Sequence, residues 1–344
     1  MAAYIISLLL TLIFLRISIK YKKWYYHLLT ILPSVILLTY RGVDVGTDTV
    51  HYTDLYSSAE SSYSYISFLL GYRLEYGFGS LLYLTAHTGF PVQFGFFVMA
   101  LFTIVPVYTA AYLLRDKVSP YMMLTLYFLM FYQYSFNIVR QSIAMSFILL
   151  TVALLFTNHK RLAIIFAVTS LLFHNTAILI LPLLTLYLLK GKNRIKLLAL
   201  LTVIVGVIYF YGKDYIDSSI DYYNDAYLSG SKASAQSSYL VEMGLNLFLV
   251  LIAWKKYRTS ETNFCLMCSF FVFVLILMST VFSYAFRIAN CYDILALIAI
   301  PLAIKTLKSP IIRSGYECFA VFYWWFVFIL NNSGESYPYS FINI

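Results

Sequence analysis

The stretch Leu162-Ala-Ile-Ile-Phe-Ala-Val-Thr-Ser-Leu-Leu-Phe173 decides the fold class. Its apolar residues run on through consecutive positions. A strand in a lipid-facing barrel would instead alternate apolar and polar residues. Inside a bilayer the backbone must satisfy its own hydrogen bonds, and a helix does so within one segment. Segments of this kind recur from end to end of the 344 residues, of which 61% are hydrophobic and only 11% charged. A soluble domain carries about twice that charged fraction. The sequence therefore predicts an all-α, polytopic integral membrane helix bundle, a single transmembrane domain over 1–344 with the lipid bilayer as its solvent.

Twelve spanning candidates follow, at 2–19, 24–39, 93–114, 119–136, 140–157, 162–174, 176–190, 197–212, 240–254, 264–282, 288–304 and 316–331. The first has no basic residues before it and no cleavage site after it, so it reads as a retained helix. Between candidates lie short basic segments: Lys20–Lys23, Arg115 and Lys117, Lys160 and Arg161, the run from Lys190, Lys255–Arg258, and Lys305–Arg313. Twelve crossings put all six on one side, the cytoplasmic one by the positive-inside rule. That reading accounts for the net charge of +9 without nucleic acid as a partner. Both termini, the segment 40–90 and the loop 212–239 then lie outside. The stretch 76–90 is apolar but short and Gly-rich. A full crossing there would invert every later loop, so it reads as re-entrant or interfacial.

Six of the 24 basic residues fall on the outer side: Arg41, Arg73, Arg140, Lys213, Lys232 and Arg287. The four arginines sit at or near helix ends. Each alone could snorkel to headgroups or pair with an acid. Guanidinium groups also match phosphate and carboxylate oxygens two-pronged, so the set points to an anionic substrate at the outer interface. The densest pattern is Arg41-Gly-Val-Asp44-Val-Gly46-Thr-Asp48-Thr-Val-His51-Tyr52. Its glycines allow a tight path near a ligand. Its carboxylates could act as general base or ligand, though Gly and Asp are also ordinary turn residues. Glu75 sits where the outer loop meets an apolar stretch. Desolvation there would raise its pKa and suit it to acid/base work; the plainer alternative is a salt bridge to Arg73. His174 ends an apolar segment, as a capping residue or a functional one. Gln141, beside Arg140, could orient a ligand.

In the loop 212–239, Asp214, Asp217, Asp221 and Asp225 recur at helical spacing among tyrosines, a face suited to sugars or an aromatic interface belt. Cys265 and Cys268 form a CxxC inside an apolar run and read as packing residues. The histidines lack metal-ligand spacing, so no metal is expected. Neither a phosphate-binding GxxxxGK[ST] loop nor a GxSxG nucleophile turn occurs.

Five short segments resemble the EpsG family of Wzy-type polysaccharide polymerases, in matching order and spacing. They are Arg41–Asp48 with Tyr52, Glu75-Tyr-Gly77-Phe, Asn137-Ile-Val-Arg140-Gln141-Ser-Ile-Ala144, Leu172-Phe-His174-Asn-Thr-Ala177, and Phe286-Arg287-Ile. The resemblance spans roughly 30–300 and leaves out the loop 212–239 and the C-terminal tail. It implies a GT-C-like glycosyltransferase of the bacterial inner membrane that polymerises undecaprenyl-pyrophosphate-linked repeat units at the periplasmic face, for O-antigen, capsule or exopolysaccharide. It also implies a chain-length regulator and a flippase as partners, and no cofactor. Under it, Arg41, Arg140 and Arg287 would hold pyrophosphate, with Arg73, Gln141 and Tyr52 nearby. One of Asp44, Asp48 or Glu75 would take the acceptor proton, with His174 a further candidate. The competing readings are a lipid-linked oligosaccharide flippase, an O-antigen ligase and a non-catalytic anchor.

Overall fold

The computed structural model describes residues 1–189, 196, 232–279 and 284–342. In chain order the helices are α1 (Ala2–Tyr21), α2 (Trp24–Thr39), α3 (Thr49–Ser61), α4 (Tyr65–Tyr72), α5 (Tyr76–Ala86), α6 (Val92–Leu113), α7 (Pro120–Leu126), α8 (Tyr134–Asn137), α9 (Val139–Phe156), α10 (Lys160–Phe173), α11 (Ile180–Leu188), α12 (Lys232–Lys256), α13 (Ser260–Met278), α14 (Tyr284–Asp293), α15 (Ala296–Leu307) and α16 (Pro310–Trp324). Among the described residues there is no strand, and one isolated bridge joins Arg41 to Phe341.

Local chemistry sets several boundaries. Ser119 and Ser309 each accept a hydrogen bond from a backbone N–H of the first turn, with proline next in sequence where no donor is needed. Thr259 and Thr262 form a reciprocal capping box at the start of α13.

Among the described residues, five helices are long and apolar enough to cross a bilayer: α1, α6, α9, Ser238–Lys256 within α12, and α13. A sixth crossing arises if Ala285–Asp293 and Ala296–Leu307, bent by 51°, count as one. Hydropathy counts apolar residues but not the breaks between them. A break between α14 and α15 interrupts the candidate 288–304, and a π-turn at Tyr127–Phe131 ends α7 inside 119–136. The candidates 24–39 and 162–174 form helices of 16 and 14 residues. The candidate 197–212 and residues 212–231, with the four loop aspartates and Lys213, lie outside the described residues.

Helix α9 is the axis of the bundle. Within its spanning window 94% of the residues are buried by protein, against 28% for α1, which turns most of its apolar surface outward to lipid. Helix α9 packs on α10 and α6, α1 on α2, and α12 on α13 and α15. Cys265 and Cys268 are buried free thiols on α13. Helix α5 has 11 residues, about 16 Å at the usual rise, half the roughly 30 Å of hydrocarbon a crossing requires. Helix α5 by itself is thus shorter than a crossing requires; it leans on α3, α6 and α10.

Charge sorts to opposite ends. Lys117 bonds Glu261 at 2.8 Å, Lys305 donates to the carbonyls of Asp116 and Lys117, and Lys256 donates to that of Leu307. Three basic segments therefore meet at one end. The 22-residue α6 runs from that end to Phe96, whose ring lies 4.2 Å under the Arg41 guanidinium. Arg41 and its neighbours occupy the other end.

Candidate functional site

Three of the short segments come together around one carboxylate. Glu75, the residue before α5, accepts a 2.7 Å bond from Arg140 Nη1 at the first turn of α9. Its other oxygen lies 3.1 Å from Nδ1 of His174, just beyond α10. The approach needs Gly77. A Cβ there would sit 2.7 Å from the Leu172 carbonyl oxygen and 2.8 Å from the Leu172 Cβ. Because backbone opposes it, this clash has no cheap relief. Gly77→Ala should separate α5 from α10, cost about 1–3 kcal/mol, and lower the thermal midpoint. An unchanged midpoint would show that the close approach is not required.

Burial pushes the Glu75 carboxyl up, but the His174 hydrogen bond and the Arg140 guanidinium outweigh it and hold it at about 2. The sequence expectation of a raised value is reversed, because neither partner is adjacent in the chain. The partner is also not Arg73. That residue caps α4 in a left-handed conformation, is exposed, and has no side-chain hydrogen bond or ion pair among the described residues. An ionised Glu75 orients its two neighbours. When His174 is neutral and donates from Nδ1, its Nε2 keeps a lone pair.

Tyr52 of α3, 3% exposed, lies within hydrogen-bonding reach of Arg140. Its ring packs edge-on to Phe78. Asp48, half-buried at the start of α3, is raised by burial, opposed by the Thr47 hydroxyl and by the fields of His51, Arg140 and Arg287. Arg287 on α14 is exposed, and its carbonyl oxygen accepts a 2.7 Å bond from the Gln141 side chain. Asp48, Tyr52, Glu75, Arg140, Gln141, His174 and Arg287 thus form one neighbourhood.

Arg41 and Asp44 sit differently. Arg41 is 3% exposed and stacked between Phe96 and Phe136, with a 3.3 Å bond to the Ser135 carbonyl. Burial lowers it to about 10, so it stays charged at neutral pH. Its Nε and Nη2 have no hydrogen-bond partner among the described residues. Asp44 is exposed and accepts a 2.5 Å bond from the Ser340 hydroxyl.

Asn137 and Gly46 hold the Arg41–Asp48 loop through contacts that the sequence does not show. Asn137 accepts from the Thr47 backbone at 2.7 Å. Gly46, at φ +89°, crosses so close to Phe136 that a Cβ would meet its carbonyl at 2.7 Å. The C-terminal tail supplies the rest, with Gly42 N–H donating to Ser340, Gly46 N–H to Glu335 and Ile342 N–H to Tyr40. No local pattern links positions about three hundred residues apart.

Among the described residues no group of three His, Cys, Asp or Glu is placed to hold a metal ion.

Apolar helices around a polar, arginine-rich end define a polytopic helical membrane protein with a candidate anion-handling site. The EpsG family model matches residues 23–341, nearly the whole chain, and the protein belongs to the EpsG family. The match reaches past 30–300 at both ends and includes the tail that pins the loop. Membership is consistent with a polysaccharide polymerase-type, glycosyltransferase-like enzyme. Comparison with curated proteins and with solved structures finds no match.

Proposed function

We propose that this protein joins undecaprenyl-pyrophosphate-linked oligosaccharide repeat units at the non-cytoplasmic face of a bacterial inner membrane, as a Wzy-type, GT-C-like polymerase of O-antigen, capsule or exopolysaccharide. The observation that carries this reading is the Glu75–Arg140–His174 cluster with Asp48 and Arg287 beside it, at the end of the bundle away from the basic segments.

One lipid-linked chain is the donor, and the terminal sugar hydroxyl of another is the acceptor. The acceptor oxygen bonds to the donor's anomeric carbon, the bond from that carbon to pyrophosphate breaks, and the lipid pyrophosphate leaves with the electron pair. Arg140, one-third exposed, and Arg287 are reachable by that group and stabilise its growing negative charge. Glu75 holds Arg140 in place. Arg41 is closed off behind its rings and adds field rather than contact. Asp48, raised by burial, takes the acceptor proton, since a base works best when its pKa approaches the operating pH. His174 orders the site through Glu75. Helix α5 lies as an interfacial element, and the loop 212–239 selects the glycan. A flippase supplies the repeat units and a chain-length regulator sets where growth stops.

Deletion of the gene, with complementation, tests this assignment. The deletion strain should carry single-repeat glycan and no ladder, and the wild-type chain should restore the ladder. A strain that lacks even single repeats outside the cytoplasmic membrane would point to a flippase.

A further inference from the structure

A second polar cluster lies in the apolar bundle, and the glycan-joining scheme does not use it. Glu242 of α12 and Asp293, the last residue of α14, are 2% and 6% exposed. Their carboxyls are within hydrogen-bonding reach of each other. Neither forms an ion pair with Lys, Arg or His among the described residues.

Among the described residues, the groups that face the pair are an asparagine and tyrosines, all without charge at neutral pH. Asn246, one turn along α12, donates Nδ2–H to Glu242 at 3.3 Å, and its oxygen accepts a 2.6 Å bond from the Tyr316 hydroxyl. Tyr239 of α12 and Tyr134 of α8, bonded at 2.8 Å through their hydroxyls, lie in the field of both acids. Tyr323 of α16, 4% exposed, directs its hydroxyl toward Glu242 without closing a hydrogen bond to any described group. A cavity of about 20 Å³, bordered by Asn246 and Asp293, gives room for a water molecule. Asp293 also stands at the 51° break between α14 and α15. Interrupted spanning helices of this kind are where membrane proteins place ion sites.

Two adjacent carboxylates in a low-dielectric interior cannot both remain ionised, and an intramembrane acid marks a functional site by default. Some cation must be present, and the donors decide which. Asn246 turns its amide N–H, not its oxygen, to the acids. Sodium would require oxygen ligands there. A donor N–H fits a carboxyl–carboxylate pair with one negative charge.

We propose that Glu242 and Asp293 together form a binding site for a single proton, shared between their carboxyls in the membrane core. The infrared spectrum of the protein in lipid at pH 7 tests it, recorded with and without sodium. The wild-type should show one protonated-carboxyl C=O band that shifts on deuteration, ignores sodium, and is lost in the double variant Glu242→Gln/Asp293→Asn. Where the double variant does not assemble, the single variants serve, because a shared proton must respond to the loss of either carboxyl. A band that vanishes on adding sodium, that is absent from the wild-type, or that is unchanged in either single variant overturns the proposal. A ladder-forming protein without the band refutes this site and leaves the polymerase reading intact.

Discussion

Arg140→Ala should abolish long-chain polymer while leaving the protein in the membrane at near wild-type amount. Arg140 Nη1 binds Glu75 at 2.7 Å, a third of its side chain remains open, and Tyr52 lies within reach of it. The guanidinium is thus held by one face and available by another. Removal of a preorganised charge-stabilising donor typically slows the step about 10²–10³-fold. Because the variant also leaves Glu75 partly buried without its main counter-charge, a stability loss of about 1–2 kcal/mol is expected alongside, lessened by the pair's partial exposure. Arg140→Lys separates the two effects. A lysine keeps the charge and most of the stability but not the planar fork, so the ladder should stay short while the thermal midpoint recovers. Ladders from either variant that match wild-type would remove Arg140 from the chemistry.

The second large effect is at Asp48. Loss of a positioned general base commonly costs about 10²–10⁴-fold, so Asp48→Asn should block elongation at any pH. In the wild-type the carboxylate must be ionised to accept a proton. Burial raises Asp48, so the rate should fall as pH drops through a value above the ordinary aspartate figure of about 3.9. Glu75 is not the source of that limb, because it is held at about 2. His174→Gln should lower the rate less than Asp48→Asn does and keep the acid limb. An acid limb that survives in Asp48→Asn would transfer the base to another group.

The fold class was legible because hydrophobic runs in lipid leave the backbone little choice. The site was legible in part. Arg140, His174 and Glu75 each stood out as a charged or polar residue at an apolar boundary, yet their pairing was not. Arg73 is two residues from Glu75 and was the natural partner on paper. The left-handed cap that ends α4 leaves it apart, while a helix 65 residues further on supplies the bond. Asp44 and Asp48 looked equivalent four residues apart. The tail takes one through Ser340 and burial raises the other. The Glu242–Asp293 pair was invisible, because 51 positions and a helix break separate two acids that only packing joins.

On the proposed function, the cationic and acidic cluster links lipid-borne glycans without a nucleotide sugar. The most direct test is the purified protein in liposomes, supplied only with a polyprenyl-pyrophosphate oligosaccharide. The expected result is a ladder of products with one lipid pyrophosphate released per linkage, and at least a 100-fold slower ladder from Arg140→Ala. Liposomes that move the lipid-linked glycan across the bilayer without forming a linkage, or an Arg140→Ala ladder equal to wild-type, would contradict it.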